Sequence, residues 1–192
     1  MRTRRALATA LATLVAIALT IPAVLAGVSE AEDTFASASY SGGTGWTGSW
    51  VEVGDGSGSS SSGVIQAVSD DCVASSCIGF AALLTLGDYG IWRSTNISGA
   101  ESATLTFMYQ RSGVGVLQVW HRSGPSDGWT QRTLNGGTSG FTPAEIDISS
   151  DVGSATEIRF NMSLLSLASS AHIDNVVITP FYPTTTSSTT TS

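Results

Sequence analysis

Residues 103–111 read Ala-Thr-Leu-Thr-Phe-Met-Tyr-Gln-Arg. Every second side chain at the start of this stretch is apolar or aromatic: Ala103, Leu105, Phe107 and Tyr109. Successive side chains of a β-strand point to opposite faces of the sheet, so these four share one face. The pattern predicts a strand that packs one face on a core and turns the other face to water.

The same alternation recurs along the chain, for example in residues 157–163, where Ile158, Phe160 and Met162 share one face. Glycine, serine, asparagine and aspartate lie between such segments, which is typical of turns between short strands. The segments predict an all-β fold, an antiparallel two-sheet β-sandwich of the jelly-roll type. The predicted strands are Trp50–Val53, Val64–Val68, Ala81–Leu86, Ile91–Ser94, Ala103–Gln110, Val116–Arg122, Thr130–Leu134, Ala144–Ile148, Glu157–Ser163 and His172–Thr179.

The two ends of the chain differ from this central part. Residues 1–26 combine an arginine-rich start, an apolar run and small residues around Ala26, which is the pattern of a cleaved secretory signal peptide; a retained membrane anchor is the alternative. Residues 27–182 form the predicted β-sandwich domain, and residues 183–192 form a Thr/Ser-rich disordered tail or linker. The protein is therefore predicted to be secreted, extracellular or on the cell surface, with no transmembrane span after cleavage.

The charge of the chain argues against several function classes. All eight basic residues are arginine, and three of them (Arg2, Arg4 and Arg5) lie in the leader. The remainder has five arginines against 15 acidic residues, a formal charge of −10. Such a surface repels phosphate backbones, which disfavours nucleic acid as a partner. The lack of lysine also excludes Schiff-base chemistry and a P-loop lysine.

The two cysteines, Cys72 and Cys77, are close in sequence. In an exported chain this pair predicts a structural disulfide bond. A zinc site would need about four ligands, and the chain has only two histidines. The closed loop is short, so the bond contributes roughly 2 kcal/mol and fixes a loop rather than the core.

The histidines belong to no catalytic motif, because neither His121 nor His172 lies in a zinc-binding sequence. Both histidines are interpreted as ordinary surface or half-buried strand residues. Glu52, Glu145 and Glu157 could supply a carboxylate pair but are interpreted as solvated strand-edge residues. The chain is thus predicted not to be an enzyme, with a small secreted hydrolase as a less favoured alternative.

Several segments, taken in order, resemble the jelly-roll accessory domains of secreted bacterial proteins, a broad group with MAM-like and carbohydrate-binding-module-like members. They are Asp33–Phe35, Gly45–Trp50, Ile91–Ala100, Ala103–Arg111, Asp127–Trp129, Asp147–Ser149, Ile158–Phe160 and His172–Ile178. The resemblance covers roughly Asp33 to Thr179. It implies a non-catalytic domain, and many such domains bind polysaccharide or mediate adhesion.

The resemblance also implies a structural calcium ion where the first strand meets the last, with Asp33 and Asp174 as ligands. Calcium takes six to eight oxygen ligands, and an exported protein meets the ion in its surroundings. Without a metal, Asp33 is a turn former, and Asp174 with Asn175 forms a strand-edge or bulge pair. Both interpretations remain open at this point.

The five tryptophans suggest where a ligand would bind. A flat aromatic ring can stack on a sugar while polar side chains bond its hydroxyls. Alternation places Trp120 on the outer side of its strand, whereas Trp46, Trp50 and Trp92 are expected in the core or at an end of the sandwich. A plain polar outer face is the alternative. The outer-face residues with the required composition are Met108, Gln110, Gln118, Trp120, Arg122, Arg159 and Asn161.

The function that these observations favour is a secreted, non-catalytic binding or adhesion domain, with a polysaccharide or cell-surface glycan as its ligand. The alternative is a structural or protein-interaction module of a cell-surface protein, supported by the Thr/Ser tail and the acidic surface. Apart from a structural calcium ion, no cofactor is expected.

Overall fold

The computed structural model describes residues 31–36, 38–69, 72–73, 76–80, 88–113, 115–136, 139–163 and 169–183. Within these residues the chain forms strands joined by turns and one short 3-10 helix, Ser149–Asp151. The strands are β1 (Ala31–Asp33), β2 (Val51–Val53), β3 (Ile65–Val68), β4 (Cys77–Phe80), β5 (Asp88–Thr95), β6 (Ser102–Ser112), β7 (Val116–Arg122), β8 (Thr130–Leu134), β9 (Thr142–Asp147), β10 (Thr156–Ser163) and β11 (Ser170–Phe181).

The strands form two antiparallel sheets. Sheet A has the order β3-β4-β11-β6-β9, with β1 also paired to β11, and sheet B has the order β2-β5-β10-β7-β8. Every pairing is antiparallel. The predicted fold class, an antiparallel two-sheet β-sandwich, is therefore confirmed.

The core lies between the inner faces of the two sheets. In β6 the alternate residues from Ala103 to Tyr109 are buried, as their spacing predicts. On β10, Ile158, Phe160 and Met162 are buried in the same way. Phe107 of sheet A meets Phe160 of sheet B edge to face, with ring centroids 4.9 Å apart. Burial of one such side chain stabilises the fold by roughly 1.5–3 kcal/mol, so this contact ties the two layers together.

Two strands were not predicted from the sequence. The segment Ala31–Asp33 forms β1, which pairs with β11. Cys77–Phe80 forms β4, which pairs with both β3 and β11. The strand predicted at Ala81–Leu86 lies outside the described residues. Polar and small residues in these short strands hide the alternation that identifies the longer ones.

The predicted leader and all but the first residue of the predicted tail lie outside the described residues. Cys72 and Cys77 are joined by a disulfide bond. No helix in the described ranges is both long enough and apolar enough to cross a membrane.

Candidate functional site

Five of the seven residues predicted to bind a ligand lie on the outer face of sheet B. Gln118, Trp120 and Arg122 alternate with the buried residues of β7, and Arg159 and Asn161 alternate with those of β10. The two strands pair directly, which places Arg159 beside Trp120 and Asn161 beside Gln118. These five residues therefore lie on one face of the sheet, where Asn161 is itself only 2% exposed.

Met108 and Gln110 lie elsewhere, so the interpretation of the seven residues as one surface is wrong. Both are on β6, which belongs to sheet A, and they face away from sheet B. Met108 lines a depression of about 500 Å³ on that opposite face, together with Pro143, Asn175 and Val177. Alternation shows which residues of a strand share a face, but it does not show which sheet the strand joins.

The outer face of sheet B contains a row of registered neighbours that crosses all five strands. Trp92 pairs with Arg159, and Arg159 pairs on its other side with Trp120. Neighbouring strands lie about 5 Å apart, so the two tryptophans are separated by about 10 Å with the arginine between them. Val51 continues the row on β2 and Gln131 continues it on β8. We call these five residues the cross-strand row.

Trp92 is the member of this row that the sequence analysis misplaced. It was expected in the core or at an end of the sandwich, but it is half-buried on the outer face. Its neighbours Ile91 and Arg93 are the inward-facing residues of β5. A buried arginine at position 93 breaks the apolar alternation of this strand, which is why the sequence pattern did not separate the two faces.

Polar groups surround the two tryptophans of the row. Arg159 Nη2 donates to Asn161 Oδ1 over 2.7 Å, and Asn161 Nδ2 donates to Gln118 Oε1 over 3.4 Å. The indole N–H of Trp120 is buried and has no acceptor in the described part of the chain. The face thus combines aromatic surface with amide and guanidinium donors.

The row next to it contains an ion pair. Arg122 contacts Glu157 at 2.6 Å, and its guanidinium lies 4.3 Å from the ring centroid of Trp129. Glu157 is only 4% exposed, so its interpretation as a solvated strand-edge residue is wrong. The ion pair therefore fixes the orientation of both the Glu157 carboxylate and the Arg122 guanidinium.

The other groups considered for catalysis have structural partners. His121 is 1% exposed, and its Nδ1 is hydrogen-bonded to Asp151, so it is not a surface residue. Glu52 accepts hydrogen bonds from the Tyr40 hydroxyl and the Ser57 hydroxyl. Burial and the adjacent Glu52 raise the pKa of Tyr40 above its ordinary value.

The two aspartates predicted as calcium ligands are both buried, but Asp33 does not fit that role. Its Oδ1 accepts from the backbone N–H of Phe35, and its Oδ2 accepts from Trp50 Nε1 and from Arg93 Nη1, the last over 2.6 Å. The positive charge of a guanidinium at this distance repels a second cation at the same carboxylate. Among the described residues, no three histidine, cysteine, aspartate or glutamate side chains form a group that could hold a metal.

Asp174 occupies a β-bulge. The register of β11 against β6 shifts between Asp174 and Val177, and Asn175 has a positive φ of 50°. Asp174 accepts from the backbone N–H groups of Val73 and Asn175. These contacts fit the bulge interpretation. Calcium binding stays a prediction that the resemblance made.

Solved structures with the same fold include carbohydrate-binding modules. The chain is similar to TmCBM61, solved in complex with beta-1,4-galactotriose, with a TM-score of 0.57, 12% identity and coverage of 77% of this chain and 94% of that one. It is similar to the xylan-binding module CBM15, with a TM-score of 0.51, 17% identity and coverage of 82% and 100%.

An adhesin domain also has this fold. The K2 cleaved adhesin domain of Lys-gingipain matches with a TM-score of 0.52 and 12% identity, over 79% of this chain and 99% of that one. No protein-family model matches the chain, and no curated protein matches it by sequence. At these identities the likeness establishes the fold alone, which is the β-sandwich that the resemblance implied.

Proposed function

We propose that the protein is a secreted, non-catalytic carbohydrate-binding domain and that the outer face of sheet B is its binding surface. The observation that carries the proposal is the pair of half-buried tryptophans, Trp92 and Trp120, on either side of Arg159. Sugars present apolar C–H faces and polar hydroxyls, so aromatic rings among amide and guanidinium groups form a suitable surface.

The proposal assigns a role to each part of this face. Trp92 and Trp120 stack on sugar rings, and Arg159 and Gln118 bond hydroxyl groups. Asn161 accepts from Arg159 and donates to Gln118, so it positions both side chains. Arg122 and Glu157 orient each other beside this group. The proposed ligand is a polysaccharide or a cell-surface glycan, held by stacking and hydrogen bonds.

Two observations support a role without covalent chemistry. Glu157 and Glu52 each have a structural partner, because both accept hydrogen bonds from other side chains of the domain. The imidazole of His121 is buried beneath β7 and bonded to Asp151. The solved carbohydrate-binding modules with this fold, described above, give further support.

Binding to a panel of polysaccharides tests the proposal. We suggest xylan, β-1,4-galactan, mannan, cellulose and chitin, with affinity electrophoresis for the soluble polymers and pull-down for the insoluble ones. The wild type should bind at least one polymer, and Trp120→Ala should lose binding by about tenfold or more. Gln110→Ala, on the opposite sheet, is the matched control and should bind like the wild type.

The outcomes separate the ligand class from the site. A wild type that binds no polymer overturns the carbohydrate proposal. A wild type that binds, with a Trp120→Ala variant of equal affinity, overturns the assignment to sheet B. Release of reducing sugars from a bound polymer, abolished by Glu157→Gln, would contradict the non-catalytic role.

A further inference from the structure

We infer that the ligand is an internal stretch of a linear polysaccharide that crosses the strands of sheet B, with one sugar on Trp92, the next at Arg159 and the third on Trp120. This inference rests on the proposed function and goes beyond it, because it fixes the direction of the chain and the smallest ligand that binds fully.

The spacing of the cross-strand row determines how many sugars are needed to reach both tryptophans. Trp92 and Trp120 each pair with Arg159, so they are two strand spacings, or about 10 Å, apart. A single pyranose ring is about as wide as one strand spacing, roughly 5 Å, so it spans half of the distance between the backbones of the two tryptophans. A chain of three sugars reaches from one ring to the other. Its middle unit then lies at the guanidinium of Arg159.

The two ends of the row determine whether a ligand can extend past the edges of the sheet. Val51, on the edge strand β2, is 44% exposed, and Gln131, on the edge strand β8, is exposed as well. Both ends of the row are therefore exposed at the edges of sheet B. A chain that lies along the row can continue past either edge. A site of this form accepts the middle of a polymer and does not require a chain end.

The neighbouring row argues against a chain that runs along the strands. A ligand parallel to β7 would pass from Trp120 to Arg122, which is already engaged by Glu157 at 2.6 Å and by the ring of Trp129. It would contact Trp120 but would miss Trp92, which lies two strands away. The cross-strand direction uses both half-buried tryptophans and leaves the ion pair intact.

Calorimetric titration with oligosaccharides of defined length tests this geometry. The probes are β-1,4-linked xylose and galactose oligomers of one to six units. We expect affinity to rise by about tenfold or more between the disaccharide and the trisaccharide of the series that binds, because only the trisaccharide reaches both tryptophans. Beyond three units the gain per added sugar should be much smaller.

Variants show which side chains cause the length dependence. Trp92→Ala and Trp120→Ala should each reduce the trisaccharide affinity to that of the disaccharide, and the disaccharide should lose less. Gln110→Ala, on the opposite sheet, is the control and should keep the steep step. Thermal melting of each variant separates loss of binding from loss of fold.

Indole N–H resonances give a readout that needs no destabilising change. Trp92→Phe and Trp120→Phe assign two of the five indole signals, and the trisaccharide should shift both while the Trp46 and Trp50 signals stay in place. Affinity that is equal for two and three units, or a shift of Trp120 without Trp92, overturns the cross-strand inference. Binding itself would then still support the proposed function, whereas failure of every oligomer and polymer overturns the function.

Discussion

The molecule contains two clusters that each combine two tryptophans with one arginine, and they differ in where the arginine points. In the inner cluster, Arg93 lies 5.1 Å from the ring centroid of Trp46 and 5.7 Å from that of Trp50. In the outer cluster, Arg159 is the registered neighbour of Trp92 and Trp120. Trp92 and Arg93 are adjacent in sequence, so a single strand, β5, supplies both clusters from its two faces.

In the inner cluster, Arg93 and the indole N–H of Trp50 donate to acceptors of the protein itself. Arg93 is 4% exposed, forms an ion pair with Asp33, and donates to the carbonyl oxygens of Gly42 and Gly48. These contacts tie sheet B to β1 of sheet A and to the segment that precedes β2. The outer cluster faces away from the core. The same residue types therefore stabilise the fold on one face and are proposed to bind a ligand on the other.

Removal of Arg93 should have the largest effect. Arg93→Ala leaves the carboxylate of Asp33 buried and without its charge partner, so we expect a loss of about 3–5 kcal/mol in the free energy of unfolding. Urea denaturation of both forms measures this loss. The double variant Asp33→Asn/Arg93→Met should lose less than the two single changes together. A single variant as stable as the wild type would show that the ion pair does not secure the sandwich.

Removal of Arg159 should reduce polysaccharide affinity while leaving the stability of the fold nearly unchanged. Arg159→Gln keeps a hydrogen-bonding group on the outer face, so we expect a change of less than about 1 kcal/mol in the free energy of unfolding. Polysaccharide affinity should fall by about tenfold, because a guanidinium forms stronger and more numerous hydrogen bonds than an amide. Urea denaturation and calorimetry measure the two quantities on one preparation. A variant that loses stability but keeps affinity would show that Arg159, like Arg93, stabilises the fold and does not bind the ligand.

The sequence predicted the inner faces of the long strands better than the outer ones. Alternation in β6 and β10 identified Phe107 and Phe160 because apolar burial imposes a period of two on the sequence. Which strands become neighbours depends on long-range pairing. That pairing puts Trp92 beside Arg159 and removes Met108 from the surface that it was predicted to share.

Buried charge was the second feature that the sequence could not reveal. Arg93, Glu157 and Asp33 occupy strand positions that composition assigns to solvent, yet each is buried with a partner of opposite charge. A charged residue is buried only where its partner lies close by. The partners here are 60 and 35 residues apart in sequence. No local pattern can indicate such pairs.

Alkaline pH should lower the free energy of unfolding, through Tyr40 beside the inner cluster, by less than removal of Arg93 does. The hydroxyl of Tyr40 donates to Glu52 and to the carbonyl oxygen of Ile65, and its backbone carbonyl accepts from the N–H of Trp50. The folded state raises the pKa of Tyr40 above its ordinary value of 10.0, chiefly through burial, so folding favours the protonated form. This contribution to stability is complete below pH 10 and declines as the pH rises above it.

Unfolding at pH 8 to 11 measures this dependence. Tyr40→Phe removes the titrating group, so its stability should fall less steeply above pH 10 than that of the wild type. Tyr182→Phe serves as the control and should keep the wild-type slope. Equal slopes in the wild type and Tyr40→Phe would show that Tyr40 does not couple the inner cluster to pH.

Calcium removal should have the smallest effect. The carboxylate of Asp33 already has a cation, the guanidinium of Arg93, which bonds carbonyl oxygens of the neighbouring segment as a metal ion would. Because Arg93 occupies the place of a metal ion at Asp33, we expect a chelator to leave the melting temperature of the wild type unchanged. A lower melting temperature with chelator, restored by calcium and absent in Asp174→Asn, would contradict this expectation. The ion would then be bound near the bulge of β11, and Arg93 would not be the only cation that holds the first strand to the fold.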